Sequence, residues 1–167
     1  MEIRKAIQKD APELINLIQI ADNRTLEVAS KKVGKFIGSD KGFFLIAIEN
    51  KKIIGYLLFM IKEDDEKASE FLDINNYSCI CWIAVHPDFR GKNIGSRLVK
   101  ESKKYAKRYK KGIWLDCREK VVPFYEKNGF KNIGTYPKAT SSGILKPCYV
   151  MAKRLEIYTQ KKRKNKN

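Results

Sequence analysis

The sequence predicts an α/β (α+β) domain, a single mixed sheet of six to seven strands flanked by helices. Three observations carry this. Residues 43–61 hold two apolar runs separated by only Asn50-Lys51-Lys52, the pattern of an antiparallel hairpin. From residue 77 onward, strand-like and helix-like segments alternate. The 167 residues are 43% apolar, enough for one ordinary domain with a real core and too many for global disorder.

The elements follow in order. Ile3 to Ile7 reads as a first strand. Asp10-Ala11-Pro12-Glu13 then opens a helix, with Asp10 as cap, Pro12 in the first turn and Glu13 reaching back to the cap. Leu14, Ile15, Leu17 and Ile18 supply its apolar face. Residues 22–40 read as a second helix with Val28, Val33, Phe36 and Ile37 inward. FFLIAIE (43–49) and IIGYLLFMI (53–61) form the hairpin. The acidic stretch Glu63 to Asn76 is a loop with room for one helical turn, and YSCICWIAV (77–85) is a buried strand. Residues 94–111 form the strongest helix, with Ile94, Leu98, Val99, Ala106 and Tyr109 at helical spacing and Gly112 as its stop at positive φ. IWLDC (113–117) is a strand. VVPFYEKN is a short helix begun by Pro123 and ended by Gly129. Two last strands, Phe130 to Thr135 and Cys148 to Leu155, flank a long loop from Tyr136 to Pro147.

Composition excludes several classes. No run approaches the roughly 18 apolar residues of a membrane span, and MEIRKAIQKD has no apolar stretch of the kind a secretory signal needs. A cytoplasmic protein is the expectation. Cys79, Cys81, Cys117 and Cys148 form no C-x-x-C pair, and His86 is the lone histidine. No metal site is expected, and the cysteines read as reduced, buried thiols. The net charge of +16 points to anionic partners without naming them. Residues 1–157 form one domain, followed by a basic tail, 158–167, expected to be disordered.

The informative stretch is VHPDFRGKNIGSRL, residues 85–98. A buried strand ends, His-Pro breaks it, and an arginine and two glycines stand at the mouth of a helix. The first N–H groups of a helix lack internal partners and the dipole makes that end positive, which suits a polyphosphate. Gly91 and Gly95 let backbone approach closely, Arg90 adds charge-assisted donors, and Ser96 offers a hydroxyl. The competing reading is a plain Arg-Gly turn with Gly95 serving helix packing. The spacing is neither that of a P-loop nor that of a dinucleotide-binding fingerprint.

Arg90-Gly91-Lys92-Asn93-Ile94-Gly95 after an IAVHP strand, with Phe124-Tyr125-Glu126-Lys127-Asn128-Gly129-Phe130 one strand later, resembles the GNAT superfamily of acyl-CoA-dependent N-acetyltransferases. The specific part covers residues 80–134. Asn93 stands where that family has its central glycine, and asparagine tolerates left-handed backbone better than other non-glycine residues. Arg118 stands where many relatives carry an asparagine that contacts the pantetheine arm.

The resemblance implies a mostly antiparallel sheet whose central parallel strands, 77–85 and 113–117, splay apart to admit acetyl-CoA. The pantetheine arm would pair with backbone near Ile83, Ala84 and Val85, with Arg118 and Phe124 in the same binding set. The diphosphate would rest on Arg90, Gly91, Lys92, Asn93, Ile94, Gly95 and Ser96. Tyr125 would give a proton to the departing CoA thiolate, and a backbone N–H near Val85 would hold the oxyanion. An amine acceptor, small molecule or protein, completes the reaction. Relatives often dimerise, and a homodimer stays open. Asp116, Glu70, Asp73 or a water chain are the candidates for the base; His86 reads as a turn residue. Two other functions remain in play: a basic nucleic-acid-binding module, against which stands the lack of an RNP-like aromatic motif, a KH loop or zinc-finger spacing, and a non-catalytic acyl-CoA sensor of the same fold.

Overall fold

The computed structural model describes residues 1–109, 111–140 and 142–155. The expected domain end at 157 and the basic tail 158–167 lie outside the described residues. Seven strands form one sheet: β1 (Glu2–Lys5), β2 (Gly42–Glu49), β3 (Lys52–Met60), β4 (Tyr77–Val85), β5 (Gly112–Cys117), β6 (Lys131–Ala139) and β7 (Leu145–Lys153). Their spatial order is β1-β2-β3-β4-β5-β7-β6. Every neighbouring pair is antiparallel except β4 with β5. Helices α1 (Ala11–Asp22) and α2 (Leu26–Phe36) cover one face, while α4 (Ile94–Arg108) and α5 (Val122–Lys127) cover the other. The single turn α3 (Glu66–Ser69) sits in the acidic loop, as the sequence allowed. Among the described residues, no helix is long and apolar enough to cross a membrane.

The β2–β3 hairpin turns through Asn50 and Lys51, both at positive φ (49° and 65°), a conformation that matches strand twist in a two-residue turn. Its strands are central in the sheet and buried on both faces, which explains their unbroken apolar runs.

Several sequence expectations are corrected. Asp10 does not cap α1. Its carboxylate accepts two hydrogen bonds from Arg4 (2.7 and 2.9 Å) and one from the Ile7 N–H (2.8 Å). Glu13 does not reach back either; its Oε1 accepts the Ile53 N–H at 2.8 Å, pinning α1 to β3. The second helix is shorter than 22–40: Thr25 Oγ1 caps it at the Val28 N–H, and the inward residues are Ala29, Val33 and Phe36, with Val28 exposed. Gly112 opens β5 instead of ending α4. A Cβ there would lie 2.6 Å from the Tyr77 ring, so the glycine is required by strand approach and not by a left-handed stop.

The segment expected to be a long loop, 136–147, is mostly the β6–β7 hairpin. Pro137 and Pro147 face each other in it. They are tolerated because β6 is an edge strand and β7 loses its β5 partner beyond Tyr149.

Candidate active site

Strands β4 and β5 pair only at Tyr77–Gly112, Ser78–Ile113 and Cys79–Trp114. Beyond this point β4 stays on β3 and β5 stays on β7, so the two part and leave a gap. The cause is a bulge. Leu58 pairs with Trp82 and Phe59 with Ile80, so Cys81 has no counterpart on β3. An extra residue bends its strand, here two residues after Cys79, the last residue that pairs with β5. The bulge also resets alternation. Cys81 and Trp82 both pack in the α1/α2 layer, while Ile83 and Val85 turn to the α4/α5 layer.

The open edge of β4 can be assigned group by group. The His86 N–H bonds to Ile54 O on β3 at 2.9 Å. Strand alternation therefore turns the N–H and C=O of Val85 and Ile83 to the opposite edge, into the gap, and those of Ala84 toward β3. A groove of about 660 Å³ runs along this edge, lined by Ile83, Ala84 and Val85 on one side and by Phe124 and Tyr125 on the other.

The start of α4 closes one end of the groove. His86 Nδ1 accepts the Asp88 N–H at 3.3 Å, which shapes the turn at Pro87–Phe89. Gly91 (φ 77°) and Asn93 (φ 62°) are both left-handed, and the Asn93 side chain makes no capping bond. The first intrahelical bond is Arg97 N–H to Asn93 O at 3.1 Å. Among the described residues, no acceptor takes the N–H groups of residues 93–96. Four amides thus point out of a positive helix end. Two glycines seat this turn. A Cβ on Gly95 would lie 3.3 Å from the Phe124 ring, and one on Gly55 would lie 3.1 Å from Ile94 Cγ2. Gly55 was missed in the sequence, although a glycine inside the run IIGYLLFMI signals close approach.

Arg90 is engaged by protein: Nε donates to Val85 O (3.2 Å) and Nη2 to Ala21 O (3.1 Å). It ties the loop before α4 to the end of β4 and to the last turn of α1. Ser96 lines the groove, and its Oγ accepts from Asn128 Nδ2 at 3.1 Å, which leaves its O–H free to donate inward. Lys92 is exposed, with its ammonium 4.8 Å from the Phe89 ring centre, and is not part of the lining. Arg118 is also outside the lining. Its guanidinium donates to the carbonyls of Lys138, Ala139, Lys146 and Pro147 at 2.9–3.3 Å, fastening the β6–β7 hairpin.

Tyr125 is 6% exposed and packs edge-on against Phe124 and Phe130, with ring centres 5.0 and 5.8 Å away. Among the described residues its hydroxyl has no hydrogen-bond partner, and the residue lines the groove. Burial, with smaller contributions from Cys117, Cys79 and Asp116, pushes its pKa well above the ordinary phenol value. The phenol is therefore protonated at neutral pH and able to donate.

The candidate bases stand elsewhere. Burial alone would raise the pKa of Asp116, but hydrogen bonds from Lys138 and Tyr136 outweigh it, and the carboxyl is held below its usual range. Tyr136 donates to it at 2.6 Å and Cys148 at 3.4 Å, with Lys138 the third partner. Tyr136 and Cys148 belong to the α1/α2 layer, across the sheet from Tyr125. Glu70 accepts from Lys67 (2.9 Å), and Asp73 accepts from Asn75 and Asn76 (3.2 and 2.7 Å). Neither lines the groove. Among the described residues, no group of three or more metal-ligating side chains occurs.

Residues 40–132 match a known family, described as the acetyltransferase (GNAT) domain. Solved structures of the same shape include a GNAT-family acetyltransferase from Streptococcus pneumoniae, 21% identical, with a TM-score of 0.71, covering 93% of this chain and 99% of that one. A ribosomal-protein-alanine N-acetyltransferase from Brucella melitensis is 19% identical, with a TM-score of 0.73 and coverage of 93% and 100%. An aminoglycoside 6'-N-acetyltransferase complexed with coenzyme A is 18% identical, with a TM-score of 0.73 and coverage of 92% and 96%. At such identities the likeness is one of fold. A comparison with curated protein sequences finds none that matches.

Proposed function

The chain belongs to the GNAT family of acetyltransferases, and on that premise we propose that it moves an acetyl group from acetyl-CoA to a primary amine by direct attack, with Tyr125 as proton donor to the departing thiolate. The observation that carries this reading is the groove, with its unpaired β4 edge along one wall and four free amides at its end.

The fit is chemical as well as geometric. CoA carries roughly four negative charges near neutral pH, counting a phosphomonoester whose second pKa is about 6. The amides of residues 93–96 and the positive end of α4 suit its diphosphate, Gly91 and Gly95 allow close approach, and Arg90 holds the loop in shape. Ile83 offers its N–H and C=O to the pantetheine amides as an added strand would. Phe124 packs beside the arm. Lys92 acts through its charge at the loop surface. Arg118 serves the groove indirectly, by holding the β6–β7 hairpin next to β5.

The acceptor must arrive as a neutral amine. A lysine-like amine, with a pKa about 10.4, is neutral in only about one molecule in a few thousand at pH 7, a penalty of roughly 4–5 kcal/mol. Its nitrogen forms a bond to the thioester carbonyl carbon. The Val85 N–H, free because Arg90 takes only the Val85 carbonyl, stabilises the oxyanion. The C–S bond then breaks, and the electron pair goes to sulfur. A CoA thiol has an ordinary pKa near 8.5, below that of Tyr125. Tyr125 therefore acts first as a hydrogen-bond donor to the forming thiolate. Its proton passes to sulfur, and the proton shed by the nitrogen of the tetrahedral intermediate returns through water to the Tyr125 phenolate. The products are the N-acetyl amine and free CoA thiol. A water relay is the base this site favours, because Asp116 is held ionised by Lys138 and faces the other layer.

We place the reaction in the cytoplasm, in keeping with the four free cysteines. The test is acetyl-CoA with a panel of primary amines, read by release of free thiol. Turnover with at least one amine supports the assignment. CoA binding without turnover on any amine turns the reading to a sensor, and absence of CoA binding at millimolar concentration removes both.

A further inference from the structure

Beside the groove lies a second hollow of about 510 Å³, and it is strongly cationic. It shares Asn93, Ser96 and Lys127 with the groove, so the two are continuous around the first turn of α4. Arg97, Lys100 and Lys103 of α4 line it, with Lys127 from the end of α5 and Lys153 from the end of β7. Ser96, Lys100 and Lys103 are spaced i, i+4, i+7 and so share one face of the helix. Among the described residues, none of the five cations has a carboxylate within 4.0 Å.

These are not all free surface lysines. Lys103 Nζ donates to Asn128 O at 2.6 Å, and Lys153 Nζ to Gly129 O at 3.1 Å. Two ammonium groups from different elements, α4 and β7, are therefore anchored on adjacent carbonyls just after α5. Gly129 sits at φ 79°, and its bare Cα leaves room for the Lys153 ammonium beside it. Burial, and then the neighbouring Lys153, lowers the pKa of Lys103. A cluster of like charges held this way is stabilised when an anion enters it.

We propose that this hollow seats the phosphomonoester at the nucleotide end of the acyl carrier, so that Lys103 and Lys153, with Lys100 and Arg97 at the rim, make the protein select CoA over its dephosphorylated form. The inference rests on the acyl-CoA reading given above. With the diphosphate on the amides of 93–96, the nucleotide leaves the groove past Ser96. Lys103 stands two helical turns on, about 10 Å at 1.5 Å per residue.

The experiment is calorimetry of CoA and of dephospho-CoA, at fixed ionic strength, with the wild-type protein and with Lys103→Ala/Lys153→Ala. A charge-assisted contact to a phosphate is worth about tenfold or more in affinity. The wild type should bind CoA at least about tenfold more tightly than dephospho-CoA, and the double variant should bring the two within about twofold, by weakening CoA alone. Equal binding of both by the wild type overturns the proposal and leaves the acyl-CoA reading intact; this arm needs no variant. An equal loss for both ligands in the double variant also overturns it, because it marks a general effect on the fold. Binding of neither ligand to the wild type overturns the proposal and the acyl-CoA reading together.

Discussion

Replacing Tyr125 with phenylalanine separates chemistry from packing. The ring contacts with Phe124 and Phe130 survive, since they involve the ring and not the hydroxyl. The hydroxyl has no hydrogen-bond partner among the described residues, so no buried donor or acceptor is orphaned by its loss. Stability should therefore change by no more than about 0.5 kcal/mol. On the proposed reading CoA affinity should stay within about twofold, because the free amides that would take the diphosphate lie at the start of α4 and are untouched. The catalytic step should suffer. A positioned proton donor contributes about 10²–10⁴ in rate, which is roughly 3–5 kcal/mol of barrier. The assay is thiol release under saturating acetyl-CoA, beside CoA calorimetry and a thermal melt on the same preparation. Unchanged kcat would remove the acid role. A loss of kcat matched by an equal loss of CoA affinity would show that Tyr125 binds rather than donates. The alanine variant is uninformative, since emptying an aromatic site costs about 3–5 kcal/mol of stability on its own. The pH profile adds a check. Burial raises the Tyr125 pKa, so the phenol stays protonated through the assay range. Activity should rise with pH as the amine deprotonates, with no decline from Tyr125 ionisation below about pH 10.

Gly112→Ala should destabilise the fold by about 3 kcal/mol, because its Cβ would lie 2.6 Å from the Tyr77 ring and 2.9 Å from Lys153 O, where the backbone cannot yield; denaturant unfolding checks this. Lys138→Met should cost about 1 kcal/mol at neutral pH, a figure kept small because Lys138 is half exposed. The Asp116 carboxyl is held below its unfolded value, so its contribution is present above the ordinary carboxylate range and is lost as pH falls through the folded value. The gap between wild type and variant should therefore narrow as pH drops below about 4 in urea midpoints. Burial pushes the pKa of Cys148 up to about 11 and that of Cys117 to about 12. At pH 8 in the native protein Cys148 should alkylate about a hundredfold and Cys117 about a thousandfold more slowly than in denaturant, read by mass spectrometry of the labelled peptides; equal rates would refute the burial argument.

The central hairpin was legible because its information is local. Asn50 and Lys51 carry the turn, and apolar runs on both sides fill strands buried on two faces. The β6–β7 hairpin was not, because what permits it lies far away. Pro137, Pro147 and the surrounding lysines and serines have loop composition, yet the sheet position removes the need for their missing donors, and Arg118 supplies donors to four carbonyls of the pair. Asp10 failed as a cap for a nearer reason: Arg4, six residues earlier on β1, and the Ile7 N–H take its carboxylate, and the charged fork of Arg4 outcompetes the helix N–H groups.

The candidate site divides along the same line. Free amides at a helix start are a property of the helix and the few residues before it, so the unpaired N–H groups of 93–96 could be read from Arg-Gly-Lys-Asn-Ile-Gly alone. The gap between β4 and β5 beside them could not. It arises from a bulge at Cys81, a residue set apart only by the register of β4 against β3. Nor could the cationic hollow, which joins Lys103 to Lys153 across fifty residues through the carbonyls of Asn128 and Gly129. The surplus positive charge in the composition carries no address until the fold is known. The net charge of +16 fits a nucleic-acid binder as well as a capture site for a small anion. Convergence of five cations from three elements beside the amide seat favours the small anion, because a nucleic acid needs its charges spread along a backbone track and not drawn into one concave pocket.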